Sequence, residues 1–262
     1  MSQIEAKQIR LAYHGKTILN NLSTSIPDQK ITCLIGPNGC GKSTLLKSLA
    51  RIIPIDSGDI FLDGQPISAL PTKTIAQHLT LLPQILEAVP GTSVYELVSY
   101  GRFPHQRYLG GLSKQDRDKI HWAMEMTEVT SLANSPLERL SGGQRQRVWL
   151  AMALAQDTQT IFLDEPTTYL DLNHQLEILE LLQQLNKEQQ KTIVMVLHDL
   201  NQVSRFADHV ISMKEGQIYQ EGSSQQVLSH PVLQHVFNID AHLVPDPVTQ
   251  KPLILGYQLL KS

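Results

Sequence analysis

Gly36-Pro37-Asn38-Gly39-Cys40-Gly41-Lys42-Ser43-Thr44 separates an apolar run (Ile31, Cys33, Leu34, Ile35) from a helix-like segment, Leu45 to Ala50. The spacing of Gly36, Gly41, Lys42 and Ser43 is that of a P-loop, in which small residues let successive backbone N–H groups turn toward polyphosphate oxygens. Lys42 is expected to set an ammonium on the β- and γ-phosphates and Ser43 a hydroxyl on Mg2+. The helix that follows aims its positive end at the same anion. A glycine-rich turn after a buried strand is the plainer reading. Strand, loop, Lys-Ser pair and helix arriving in that order favour the phosphate cradle.

Working outward, Ile4 to Tyr13 and Lys16 to Ile26 alternate apolar and polar residues and are broken at His14-Gly15 and Pro27-Asp28, which predicts an antiparallel β-layer ahead of the loop. Tyr13 closes the first strand, where an aromatic ring could stack on adenine or be a half-buried strand residue. Gly58 to Gly64 reads as another strand, and Leu79-Thr-Leu-Leu-Pro-Gln84 as a strand ending in an amide suited to Mg2+ or its water. From about 88 to 140 the pattern turns helical, with helices expected at Val94 to Tyr100 and Asp116 to Thr127, the second capped by Ser113. Leu140-Ser141-Gly142-Gly143-Gln144 then opens a long helix and offers a second anion site at a helix N-terminus.

Thr160-Ile-Phe-Leu-Asp164-Glu165-Pro166 is an apolar strand ending in two carboxylates. Strand alternation would send them to opposite sides, Asp164 toward Mg2+ and Glu165 toward an attacking water. Asp171 to Gln190 reads as an amphipathic helix, and Thr192 to Leu197 as a strand delivering His198 to the same sheet edge. There a γ-phosphate contact competes with a structural hydrogen bond. A hairpin over Val210 to Gly222 follows. His230, His235 and His242 read as surface residues, and Asp246-Pro247 and Lys251-Pro252 flank a terminal turn.

The 262 residues can bury a substantial α/β core, and a formal net charge of -3 gives no basic field, so nucleic acid is not an expected partner. Cys33 and Cys40 fall in a buried strand and in the phosphate loop, where a disulfide would distort the backbone, which suits a reducing compartment. The N-terminal residues lack the layout of a secretory signal, and no stretch is long and apolar enough to span a bilayer.

Together these stretches resemble the nucleotide-binding subunit of ATP-binding cassette transporters, from about Ile4 to about Gly222. The resemblance implies an α/β fold: a P-loop NTPase core with an N-terminal antiparallel β-layer (1–86 and 141–222), a helical insertion subdomain (about 87–140) and a C-terminal extension (about 223–262). It makes Gly36 to Thr44 the Walker A loop, Gln84 the Q-loop, Leu140 to Gln144 the signature motif and Asp164 with Glu165 the Walker B pair. Tyr169-Leu-Asp171 becomes the D-loop, His198 the switch histidine and Tyr13 the adenine platform. Tyr100-Gly-Arg-Phe-Pro-His105, Thr167-Thr-Tyr-Leu-Asp171 and Val244-Pro-Asp-Pro-Val248 are similar to the branch that imports iron-siderophore complexes, heme and cobalamin.

By that resemblance Gln84, Glu165 and His198 are catalytic, and Ser43, Gln84 and Asp164 hold Mg2+. Tyr13, Gly36 to Thr44 and Ser141 to Gln144 bind ATP, the last four from a second copy of the chain. The implied partners are that copy, membrane permease subunits at the cytoplasmic face, and indirectly a periplasmic or surface substrate-binding protein. A soluble cassette ATPase of an assembly or translation system is the alternative.

Overall fold

A computed structural model describes residues 4–84, 90–106, 111–168 and 170–260. The chain opens with β1 (Ile4–Tyr13) and β2 (Lys16–Ile26), then the buried strand β3 (Ile31–Ile35), the phosphate loop and α1 (Lys42–Leu49). Next come β4 (Ser57–Leu62), β5 (Gln65–Pro66), α2 (Thr72–His78) and β6 (Leu79–Leu82). The described chain between there and the next strand is helical: α3 (Val94–Tyr100), α4 (Lys114–Met126) and α5 (Gly142–Ala155), with short 3-10 turns between. It continues through β7 (Thr160–Leu163), α6 (Leu172–Gln189), β8 (Thr192–Val196), α7 (Leu200–Phe206), β9 (His209–Lys214) and β10 (Gln217–Gly222). The last elements are α8 (Ser224–Val227), α9 (His230–Phe237), β11 (Ile239–Pro245) and β12 (Pro252–Leu259).

The central sheet runs β10-β9-β3-β8-β7-β6 and is parallel except for β10, which hairpins back along β9. Every residue of β3, β7 and β8 is buried, because helices or a second sheet cover both faces, and their near-continuous apolar sequences follow from that. Alternate residues serve two cores. Cys33, Ile35, Ile161, Leu163, Ile193 and Met195 face the helical side with Leu154 and Leu179. Leu34, Phe162, Val194 and Val196 face α1 and the antiparallel layer β2-β1-β4-β5, which contributes Ile4, Ile9, Leu11 and Leu19.

Besides apolar packing, a buried ion pair ties the described part of the helical segment together. Arg102 Nε sits 2.9 Å from Asp116 Oδ1, and Arg102 Nη1 donates to the carbonyl of Ala155, so one side chain joins the ends of α3, α4 and α5. Asp116 also completes the predicted cap of α4 with Ser113, and equivalent capping boxes start α3 at Ser93 and α5 at Ser141. Gly101 lets α3 end against α5, since a Cβ there would stand 2.2 Å from the carbonyl oxygen of Met152.

Past β10 the sequence reading foresaw only surface histidines and a turn. The turn is present, with Asp246 Oδ1 accepting from the amides of Val248 and Thr249. It joins β11 to β12 in a separate two-stranded sheet, which packs Ala241 and Ile254 on Leu233 of α9.

Candidate active site

In a parallel sheet the loops at the carboxyl ends of the strands share one edge, and four neighbouring strands deliver the predicted residues there. β3 leads into Gly36 to Thr44, β7 into Asp164 and Glu165, β8 into His198, and β6 into Gln84. Tyr13 comes from the overlying layer at the end of β1. A cleft of about 520 Å³ is lined by Tyr13, Lys16, Ile18, Asn38, Gly39, Gly41, Lys42, Ser43, Thr44, Gln84, Glu165 and His198.

α1 begins at Lys42, three residues earlier than the apolar pattern suggested, so Lys42, Ser43 and Thr44 form its first turn. Lys42 Nζ is drawn back onto its own loop, 2.8 Å from the carbonyl oxygen of Gly36 and 3.0 Å from that of Pro37. Gly36 takes φ +147°, and a Cβ there would lie 2.3 Å from the carbonyl oxygen of Met213 on β9, so only glycine fits. Cys40 turns inward and is buried, as is Cys33. Both thiols are free, and burial pushes both up from their ordinary titration range.

Ser43 Oγ donates to Asp164 Oδ1 at 2.7 Å. Asp164 is 1% exposed, and its other oxygen has no hydrogen-bond donor, only the Lys47 ammonium at 3.5 Å. A buried carboxylate oxygen left without a donor beside a serine hydroxyl is a donor set suited to a hard cation. Among the described residues no cluster of three His, Cys, Asp or Glu could hold a metal by itself. A cation seated there would therefore complete its shell from phosphate oxygens and water, as Mg2+ does.

Glu165 lies beside this pair but answers to other partners. Gln84 Nε2 donates to its Oε2 at 2.7 Å, Thr168 Oγ1 donates to the same oxygen at 3.0 Å, and His198 Nε2 meets Oε1 at 2.8 Å. A carboxylate only accepts, so in this contact the proton is on Nε2. Burial pushes the Glu165 carboxyl up, but the hydrogen bonds from His198 and Thr168 and the charges of His198 and Lys42 outweigh it and hold it below the usual range. Alternation along a strand does not explain why the two acids part. β7 ends at Leu163, and Glu165 has φ +57°, a left-handed turn that swings it away from Asp164.

Ser141, Gly142, Gly143 and Gln144 stand apart from the cleft. Ser141 caps α5 through Oγ, which accepts from the Gln144 amide at 3.3 Å, and Gly142 and Gly143 open the first turn. Ser141, Gly143 and Gln144 line a second cavity of about 460 Å³ with Glu128, Arg147, Leu170, Asp171 and His174. The two cavities have no lining residue in common.

The sequence profile of the ABC transporter family matches residues 19–168. The chain belongs to the ABC transporter family. It is 52% identical over its full length to the iron(3+)-hydroxamate import ATP-binding protein of Bacillus subtilis (strain 168), covering 97% of that protein. It is 41% identical to the ferric enterobactin transport ATP-binding protein of Escherichia coli (strain K12), over 97% of this chain and 94% of that one. Among solved structures, a dimeric bacterial ABC transporter cassette matches 84% of this chain and 98% of its own at 31% identity, with TM-score 0.76. A metal-chelate type ABC transporter in an inward-facing conformation matches 99% and 98% at 26% identity, with TM-score 0.83.

This ABC protein is thus an ATPase whose hydrolysis powers transport, built on the α/β cassette fold. Neither relative favours the soluble assembly-type alternative. Among the described residues no helix is long and apolar enough to cross a membrane. Three contributors went unnoticed in the sequence. Lys47 follows Ser43 by one helical turn, and that i,i+4 spacing was the available signal. Thr168, three residues after Glu165, and His174, which pairs with Asp171 at 2.7 Å, gave none, since their roles arise from the turn after β7. Tyr169 of the expected D-loop lies outside the described residues.

Proposed function

We propose that the chain is the ATP-hydrolysing subunit of an importer for ferric siderophore complexes, acting as a pair of identical copies on the cytoplasmic side of a membrane permease. The observation that carries the two-copy reading is the separation of the phosphate cleft from the cavity at Ser141: one chain presents half of a nucleotide site on each of two surfaces. A second copy turned about a two-fold axis would bring its Ser141, Gly143 and Gln144 over the cleft of the first, and the reverse.

In that arrangement Tyr13 supports the base, and the amides of Asn38 to Thr44 surround the phosphates. Lys42 exchanges its two carbonyl contacts for phosphate oxygens, a charge-assisted and stronger partnership. Ser43, Asp164 and Gln84 are the residues that would hold Mg2+, which supplies charge neutralisation on the phosphates when bound. Glu165, released from Gln84, accepts the proton of the attacking water. His198 hydrogen-bonds the γ-phosphate and keeps Glu165 oriented. Loss of the terminal phosphate removes the contacts shared by the two copies, which then separate. The helical segment, about 87–140, passes that motion to the permease.

Both relatives described above carry names for iron-chelate import or transport, and the full-length match to them supports the cargo class. Two measurements test the reading together: copurification with a permease, and uptake of iron-loaded hydroxamate, heme and cobalamin in a strain lacking this chain. Loss of hydroxamate-iron uptake alone is expected. Loss confined to heme or cobalamin, or copurification with a soluble scaffold, would overturn it.

A further inference from the structure

The two half-sites on one chain face different cavities yet must act in step, and a file of two side-chain amides, Gln175 half-buried and Gln202 buried, connects them. Leu170, which lines the Ser141 cavity, accepts at its carbonyl oxygen from Gln175 Nε2 at 2.9 Å. The other end of that amide, Gln175 Oε1, accepts from Gln202 Nε2 at 2.7 Å. Gln202 is a buried polar residue on α7, and its backbone amide donates to Asp199 Oδ1 at 3.0 Å. Asp199 caps α7 and directly follows His198, which lines the phosphate cleft.

We propose that Gln175 and Gln202 are positioning residues that hold the loop at Leu170-Asp171 in register with His198, so that one arrangement of the chain sets both half-sites. The proposal rests on the two-copy reading above. The chemistry favours a directional tie. Each glutamine amide has one donor end and one acceptor end, and Gln175 uses both, so it cannot rotate without losing a partner. Gln202 is buried, so leaving its amide without a partner is costly, which favours the arrangement in which both contacts are made. Neither residue touches nucleotide in the proposed site, so its effect runs through His198 and Leu170.

The test uses the full-length chain and compares Gln175→Met, Gln202→Met and the double variant Gln175→Met/Gln202→Met. Gln175→Met keeps the side-chain length, removes both ends of the amide and adds no charge, at a half-buried position. Expected is a fall in kcat of about tenfold in each single variant with KM for ATP within about twofold, as for a positioning defect. The double variant should be no slower than either single one, because both break the same tie. A wild-type kcat in Gln175→Met, or losses that multiply in the double variant, would overturn the tie. ATP-driven dimerisation of the wild-type chain is followed in parallel. Its absence removes the two-copy reading and the tie together, whereas dimerisation with unaltered variant kcat removes only the tie.

Discussion

At the scale of single residues, the reactive groups of the cleft are paired with one another or with the phosphate loop. Lys42 rests on its own loop, Ser43 on Asp164, and Glu165 accepts from Gln84, Thr168 and His198. Glu165→Gln keeps the shape but removes the base, so ATP hydrolysis should fall by at least about 100-fold while ATP still binds. A steady-state rate near wild type would take Glu165 out of that role. Ser141→Arg places a long cation where a partner copy's phosphates are expected to dock, and ATP-dependent pairing of that variant should disappear in gel filtration. Pairing as in wild type would count against a shared site. The main residues of the cleft were readable because phosphate chemistry restricts them to few types at fixed spacing. Thr168 and the left-handed turn at Glu165 were not, because a hydroxyl reveals its partner only once the strands are side by side.

At the scale of elements, β3, β7 and β8 were legible because strands buried on both faces need continuous apolar runs, α3 from its helical spacing, and α4 from that spacing together with the cap at Ser113. The hairpin β11–β12 was not. Leu255, Tyr257 and Leu259 on β12 stay exposed, so no clean inside-outside alternation marks it. What fixes it is tertiary: the Asn201 side chain accepts from the Ile254 amide at 2.8 Å and donates to the Ile254 carbonyl at 3.1 Å. Asn201→Ala strands both groups and should destabilise the hairpin by about 1–2 kcal/mol, seen as faster hydrogen exchange at Ile254. Unchanged exchange there would assign the docking to Ala241 and Ile254 packing alone.

The Arg102–Asp116 pair makes a pH prediction for the helical elements. Burial alone would raise the Asp116 carboxyl, but the Ser113 and Arg102 hydrogen bonds and the guanidinium charge bring it down from 3.8 to about 2. Its folded value lies below its unfolded value, so its contribution is present above about pH 4 and is lost as pH falls toward 2. Between pH 5 and pH 3 it should decline by about 1 kcal/mol. Urea melts of wild type and Asp116→Asn across that range should converge by this amount on acidification. A constant gap would mean that the pair does not titrate as its surroundings imply.

At the scale of the whole molecule, one sheet edge collects the phosphate loop, both acids, Gln84 and His198, while the start of α5 carries Ser141, Gly143 and Gln144 to another cavity. On the proposed reading such a molecule is complete only as two. The pairing should depend on nucleotide, because the contacts that join the copies are made to it. The most direct measurement is light scattering on Glu165→Gln, in which turnover is expected to be slow, with Mg2+ alone and with Mg2+ and ATP. The account predicts the mass of one chain without ATP and of two chains with it, returning to one when ATP is removed. A mass that stays at one chain under saturating ATP would contradict it.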